Sequence, residues 1–599
     1  MRRQHIKIGI LDIQFRKWDL TALKEVEVKP VRGVDTETLN GYCRLIADDG
    51  GNYTLTDTLE PILKFLTQRR FRSAHSFFYN QRFDFQAIIK YLPEDKLEEL
   101  YTTGKTTTGR YRIKYIPKKV FTIIKNRHIH KFYDVAQFFE TRLQTAAETY
   151  LSDSKDDGDL DVKRIGSEAE YWDAHKERII EYCIKDAQLT QRLGELLNET
   201  VVNRLGIKPR SYISKAGLSK DNFRTQCQVP RIGNIPIWAT SVALNAYAGG
   251  RFEVTRKGNT GKTYGIDICS AYPDEIARLP ELSTGEWRRV KDVHEDALLG
   301  FYMVKASIPE SALGPLPYRN KKGFICYPVG SFLTYISKIE YETFRDDVEF
   351  NIIRGVEYYD PKPSYPFRDE IRRLYAMKQE TPKEDFKYSL IKIILNALYG
   401  SFYEKIPSGK QYYAGKLFMP VYATTITAGT RAKMWQVLRR YQNDVVASAT
   451  DGILLKKEPD LPTGKGLGEW DDEGAAEVII LRSGIYLKGD ILKQRGIKRR
   501  TKIRTKSGEY DNLFEYFKAV PNLTEYPMLC NRPLNLGECL RHRKKYSPEN
   551  INQFTDVNDT IYINRDLKRV WFDKFEGGGE LFTKEIGSLP VHLGYEGEA

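Results

Sequence analysis

No run of about eighteen apolar residues occurs in the chain, so no segment suits a membrane-spanning helix. The opening, MRRQHIKIGILDIQF, is basic but lacks a continuous apolar stretch and a small-residue cleavage site; export is not expected, and the cytoplasm is the expected compartment. The cysteines (43, 183, 227, 269, 326, 530, 539) form no CxxC pair, which argues against a disulfide framework or a zinc knuckle and suits a reducing compartment. Cys530 and Cys539-x-x-His542 lack a fourth ligand at regular spacing and read as packing. No repeat and no low-complexity tract appears, which sets aside solenoids and arrays.

What is present is a core-forming composition, 41% hydrophobic and 29% charged over 599 residues, long enough for about four packing units. The net charge is +14, and +8 of it falls between residues 491 and 550. Lys493 to Lys506 alone holds eight Lys/Arg in fourteen positions, including Lys493, Arg495 and Lys498. A localised basic stretch is the footprint of a polyanion binder.

Residues 34–190 alternate strand-like and helix-like patterns, an α/β unit. An acidic loop (152–161) precedes a long helix through ERIIEYCIKDAQLTQRLGELL. Gly/Pro punctuation over 203–236 suits a boundary. A strand-rich stretch runs from about 237 to 360, two helices broken at Thr381-Pro382-Lys383 span 366–400, and strands are expected again from about 411 to 490.

Two carboxylate constellations stand out. In ValAspThrGluThr (34–38), Asp35 and Glu37 share one face of a strand. PhePheTyrAsnGlnArgPheAspPhe (77–85) adds Asp84 beside Asn80 and Phe83, and Tyr182 and Asp186 share a helix face at i and i+4. Four carboxylates from three elements can hold two divalent cations around a phosphodiester. The second constellation pairs Asp267, at a strand end in TyrGlyIleAspIleCysSerAlaTyrPro, with Asp451, at a hairpin tip in AlaThrAspGly. Between them, Lys392, Asn396 and Tyr399 form one polar helix face, suited to a triphosphate, a base edge and a sugar.

In this order the motifs resemble a family B DNA polymerase with a proofreading 3′–5′ exonuclease, over roughly residues 30 to 500. Asp35 and Glu37 match the first exonuclease motif, Asn80 and Asp84 the second, Tyr182 and Asp186 the third. Asp267 with SerAlaTyrPro, Lys392 to Gly400, and Thr450-Asp451 match the polymerase motifs, with TyrAlaGlyGly (247–250) between the halves. The fold implied is α/β and α+β multidomain: a ribonuclease H-like exonuclease domain (1–205), then a right-hand polymerase. Its parts would be palm (206–280), an insertion resembling a terminal-protein region (281–364), fingers (365–400), palm again (401–510), and thumb with tail (511–599).

The resemblance implies template-directed addition of dNTPs to a primer 3′-hydroxyl, in phage or plasmid replication. Two Mg²⁺ per active site are implied, with Mn²⁺ as substitute. Asp267, Asp451 and the Ile268 carbonyl would ligate metal in one site, and Asp35, Glu37, Asp84 and Asp186 in the other. Tyr182 would orient water, and Lys155 would stabilise the departing charge. Lys378, Lys392, Asn396, Tyr272 and Tyr399 would hold the nucleotide. Thr38, Asn80, Phe83, Tyr247, Gly249, Gly250, Thr427, Arg431 and Tyr486, with the basic run, would hold DNA.

The partners implied are primer–template DNA and dNTPs, with a terminal protein as a further candidate; a monomer is expected. The compact length and the insertion between Pro280 and Tyr365 resemble the protein-primed phage and plasmid branch. The gap from Gly400 to Asp451 is short for that branch's second insertion, which weighs against protein priming and unaided strand displacement. Three positions depart from the family pattern: Ala449 replaces an Asp, Gly452 replaces a Ser and should loosen the hairpin, and Gly484 replaces a Lys, leaving Arg482 or Lys488 as substitutes. Two rival readings follow: a 3′–5′ exonuclease with a degenerate polymerase half, and a non-catalytic DNA-binding scaffold.

Overall fold

The computed structural model describes residues 5–8, 11–14, 29–155, 158, 160–320, 322–408, 411–497 and 502–594. Lys498 lies outside them. No described helix is long and apolar enough to cross a membrane.

The first unit is an eight-stranded sheet around β1 (Val31–Leu39), β2 (Tyr42–Asp48), β3 (His75–Phe78) and, beyond helix α1 (Gln81–Ile89), β4 (His128–Asp134). β1 pairs antiparallel with β2 and parallel with β3, and β4 pairs parallel with β3. The long helix α2 (Lys176–Glu199) lies directly on β1. Glycine makes this approach possible: a Cβ on Gly33 would stand 1.9 Å from the Ala187 carbonyl oxygen, and one on Gly194 would strike Val31 and Phe77 at 2.7–2.8 Å. Because a strand alternates sides, Gly33, Asp35 and Glu37 face the same way, so the contact that seats α2 also brings the two carboxylates under it.

The second unit is an antiparallel sheet. It is built on β5 (Arg251–Val254) and β6 (Arg256–Ile268), and joined later in the chain by β7 (Val445–Thr450), β8 (Gly452–Leu455), β9 (Trp470–Arg482), β10 (Ile485–Lys488) and β11 (Ile491–Gln494). Its strand order is β5-β7-β8-β6-β9-β10-β11. Two helices, α3 (Arg368–Glu380) and α4 (Phe386–Phe402), stand beside it, broken where Thr381-Pro382-Lys383 interrupts the pattern. Asp385 caps α4 by accepting from the Lys387 N–H at 2.8 Å. Residues 286–359 add a separate sheet of four antiparallel strands, to which His592–Leu593 joins in parallel.

The structure corrects the expected run of strands from 411 to 490. Pro420–Leu438 is a helix, α5, with proline in its first turn. It is buried on almost every side, so its sequence shows no amphipathic period, and its β-branched residues read as strand. Two further segments cross between units. The strands His5–Ile8 and Leu11–Gln14, within the stretch assigned to the exonuclease domain (1–205), join a sheet with Lys405–Ser408 and Gln411–Ala414. Leu534, Leu536, Cys539 and Ile551, far along the chain, are buried in the core of the first unit.

Candidate active sites

In the first unit, ligand atoms of Asp35, Glu37 and Cys183 lie within 4.8 Å of one another under α2. Thr36, on the opposite face of β1, donates to Asp84 Oδ1 at 2.7 Å and so ties α1 to the strand. Asn80, left-handed at φ 63°, starts α1, and its N–H donates to Asp134 Oδ1 at 3.1 Å. Lys155 forms an ion pair with Asp186 and donates to the Tyr182 hydroxyl at 2.6 Å. Thr38 is buried, Phe83 half-buried and Asn80 exposed at the mouth.

The electrostatics fit a cation site. Burial, then Asp186, Asp84 and Glu37, push the Asp35 carboxyl well above its usual range. Burial and Asp186 push Glu37 up to about 8; Asp84, chiefly through burial, rises to about 7. Burial alone would lower the Lys155 pKa, but the charges of Asp186 and Tyr182 outweigh it and raise it. One ammonium does not offset four crowded carboxylates, and hard divalent cations suit such an oxygen set. Cys183 was not singled out from sequence; with Ala187 and Gly194 it belongs to the small-residue face that lets α2 approach β1.

In the second unit, Asp267 ends β6 opposite Gly452 on β8, and Asp451 occupies the tip between β7 and β8. The Ile268 N–H donates to the Asp451 carbonyl oxygen at 3.0 Å, joining the two carboxylate-bearing segments. A Cβ on Gly452 would lie 3.2 Å from Asp267 Oδ1, so this glycine leaves room for that carboxylate. Burial, then Asp451, Glu473 and Asp471, push Asp267 up to about 7. Asp451 rises to about 6, from burial and Glu473, against the pull of a backbone hydrogen bond. Asp471 and Glu473, on β9, were missed; the acidic run TrpAspAspGluGly at a strand start was the available signal.

The helix pair supplies cations. Lys378 Nζ lies 3.4 Å from Ser270 Oγ, and burial, then Lys392, lowers its pKa. Lys392 and Asn396 are exposed on one face of α4, as the spacing predicts. Tyr399 packs against Tyr272 with ring centroids 4.3 Å apart, and its hydroxyl lies 2.6 Å from that of Tyr247. A Cβ on Gly250 would meet the Tyr272 hydroxyl at 2.9 Å, so the glycine keeps this cluster close. Of the two lysine substitutes left open, Lys488 reaches the site: it pairs with Glu473 at 3.0 Å and crosses Gly265, two residues before Asp267. Tyr486 is half-buried in the field of Glu473 and Asp267, and Lys493 pairs with it across β10 and β11. Arg495 is exposed, its guanidinium 4.9 Å from the Phe252 ring.

Thr427 and Arg431 do not reach a DNA-facing surface. Both are buried in α5; the threonine hydroxyl donates to carbonyls of its own helix, and Arg431 pairs with Glu340. Arg431 also donates to the carbonyl oxygens of Ala248 and Gly249 at 2.7–2.8 Å. It therefore holds the TyrAlaGlyGly segment from behind, and neither side chain lies at the surface, where a direct DNA contact was expected.

A family model described as DNA polymerase type B, organellar and viral, matches residues 60–430. A DNA polymerase of Acidianus bottle-shaped virus (isolate Italy/Pozzuoli) is 25% identical over 415 residues, 63% of this chain and 60% of the viral one. A probable DNA polymerase of Neurospora intermedia is 27% identical over 247 residues, 39% of this chain and 25% of that one. The chain thus spans less than two thirds of the length of these curated relatives. Among solved structures, Phi29 DNA polymerase complexed with primer-template DNA and incoming nucleotide substrates shares the fold, with a TM-score of 0.62 at 16% identity, over 90% of this chain and 100% of that one.

Proposed function

This chain belongs to the organellar and viral type B DNA polymerases, and on that premise we propose that it extends a DNA primer on a template and edits the 3′ end at a second site. The observation that carries polymerisation is the joining of Asp267 and Asp451 by the Ile268 N–H bond, with both carboxyls raised in a shared field. Asp267 and Asp451, with the Ile268 carbonyl, would hold two Mg²⁺, with Mn²⁺ as substitute. Held by these groups, divalent metal would supply the positive charge that lowers the pKa of a primer hydroxyl and offsets the charge of the leaving pyrophosphate. Lys378 and Lys392 balance the triphosphate charge; Asn396 meets the base edge, and Tyr272 with Tyr399 walls the sugar. Lys488, Tyr486 and Lys493 lie along the primer end, and Arg495 with the basic run grips the duplex.

In the editing site, Asp35, Glu37, Asp84 and Asp186 would hold the ions while Tyr182, oriented by Lys155, positions water. Thr38, Asn80 and Phe83 hold the frayed strand. Between Gly400 and Asp451 the described residues form a short hairpin and the buried α5, which leaves little room for an insertion that would encircle DNA; this favours a nucleic-acid 3′ end as primer and weighs against unaided strand displacement. The protein acts as a monomer in the cytoplasm, with residues 281–364 as the surface on which a terminal protein would have to act.

The test is reciprocal. Asp451→Ala should abolish dNTP incorporation while single-stranded 3′ ends are still degraded; Asp35→Ala with Glu37→Ala should do the reverse. Loss of both activities in both variants would sink the two-site reading, and absence of extension by the unmodified protein would favour a nuclease with a degenerate polymerase half.

A further inference from the structure

A cleft of about 570 Å³ is lined by Tyr247 but by neither Tyr399 nor Tyr272. Its wall comes from four places: the chain running into TyrAlaGlyGly (244–248), the hairpin of Tyr318–Arg319 and Ile325–Cys326, the strand Val329–Ser337, and the stretch just after α4. No lining residue is acidic, four are tyrosines and two are cations, Arg319 and Lys405. Tyr247 and Tyr403 stack in the wall at 3.7 Å and 14°. Lys405 lies 4.5 Å over the Tyr403 ring and 3.3 Å from its hydroxyl. Arg319 is exposed and donates to the Gly323 carbonyl oxygen at 3.1 Å. Neither cation has a carboxylate partner among the described residues. Burial and the charge of Arg319 both lower the Lys405 pKa, as expected of two cations sharing a cleft without an anion.

Stacked aromatic faces beside unpaired cations form a surface that takes polynucleotide without reading its sequence. Tyr247 is common to both places, since its ring faces the cleft and its hydroxyl meets Tyr399 of the nucleotide site. One side chain, Tyr247, thus separates the cleft from Tyr399, which the reading above assigns to the nucleotide. A 3′ end moving to the editing site has no need of it, because no lining residue belongs to the first unit.

Resting on the polymerase reading above, we propose that this cleft seats the unpaired template strand, with a base against the Tyr247–Tyr403 stack and its phosphates on Arg319 and Lys405. Arg319 and Lys405 are partly solvent-facing, so their replacement tests binding without opening a core.

The experiment measures binding by anisotropy in EDTA, which stops degradation. The DNAs are primer–templates with 5′ overhangs of one or eight nucleotides and a duplex with an eight-nucleotide 3′ overhang. The unmodified protein should bind the long 5′ overhang about tenfold tighter than the short one. Arg319→Ala with Lys405→Ala should erase that advantage and leave the short-overhang affinity unchanged. 2-Aminopurine at the second unpaired template position should be quenched on binding, and Tyr403→Leu should lose the quench.

Equal weakening on both overhangs would reduce the cleft to diffuse charge and overturn the proposal. So would an equal advantage for the 3′ overhang, which would make the occupant a displaced primer end. The failures are separable. If one-nucleotide extension needs Asp451 but overhang length has no effect on binding, only the cleft assignment falls; if extension survives Asp451→Ala, the polymerase reading falls.

Discussion

Arg431 Nη2 lies 2.6 Å from Glu340 Oε1, and both side chains are shut away from solvent. The pair joins α5 to the short helix Lys338–Phe344, and the same guanidinium holds the Ala248 and Gly249 carbonyls. Removing one member of a buried pair strands the other charge, at a cost of about 3–5 kcal/mol. Arg431→Leu is therefore expected to lower stability by that order in urea unfolding, and Glu340→Gln on the same background should restore part of it. The folded fraction should keep the unmodified salt dependence of DNA binding. A variant with full stability and a shallower salt slope would return Arg431 to the DNA surface.

The motifs legible in sequence are those carried by local periodicity. Asp35 and Glu37 share a face because strands repeat every two residues, and Tyr182 and Asp186 because helices repeat every 3.6. The helix break at Thr381-Pro382-Lys383 and the polar face of Lys392 and Asn396 follow from the same kind of signal. What was hidden depends on tertiary context. α5 is buried all round and so has no polar face to mark it as a helix. The choice of Lys488 over Arg482 depends on a bulge between Ile480 and Arg482 in the β9–β10 ladder, which no spacing rule reveals. Docking of Leu534 and Ile551 into the first unit is a contact across some five hundred positions.

The editing carboxylates give the metal-free protein a definite pH response. Glu37 rises to about 8 and Asp84 to about 7, with burial the largest cause in each. Between their unfolded pKa values near 4 and these folded values, the native state keeps protons that the unfolded chain has released. Stability therefore falls as pH rises across that window. In EDTA the melting temperature should drop from pH 5 to pH 8; with excess Mg²⁺ the drop should shrink, because the bound ion favours the ionised carboxylates. Asp84→Asn should flatten the EDTA curve. A slope that Mg²⁺ leaves untouched would argue against these groups as ligands.

Lys155 is held between Asp186 and the Tyr182 hydroxyl. In the proposed editing reaction it would act by fixing the Tyr182 hydroxyl, the donor that would orient water. Lys155→Ala should slow removal of single-stranded 3′ nucleotides by about 10²-fold, the usual cost of losing one preorganised electrostatic partner. Primer extension, measured on the Asp35→Ala, Glu37→Ala background to prevent degradation, should not change. Lys155→Arg should recover part of the editing rate. Equal slowing of extension would show that Lys155 serves the fold and not the site.

The segment 534–552 binds the end of the chain to its first unit through mixed contacts. Leu534, Leu536, Cys539 and Ile551 fill the core beneath α1, and the Leu536 N–H donates to Gln86 Oε1 at 3.1 Å. Around the rim, Tyr42 donates to Glu549 at 2.7 Å and Arg543 meets Glu98 at 3.1 Å. The rim pairs are exposed and contribute little; the apolar anchors contribute most of the stabilisation. Arg543→Ala should therefore leave the segment protected in hydrogen exchange. Leu536→Asp places an unpaired carboxylate among buried apolar groups and should release the segment, raising proteolysis within 534–552 while the β1–β3 amides stay protected. Loss of protection throughout the first unit would mean that this segment is part of that unit's folding core and not a detachable clasp.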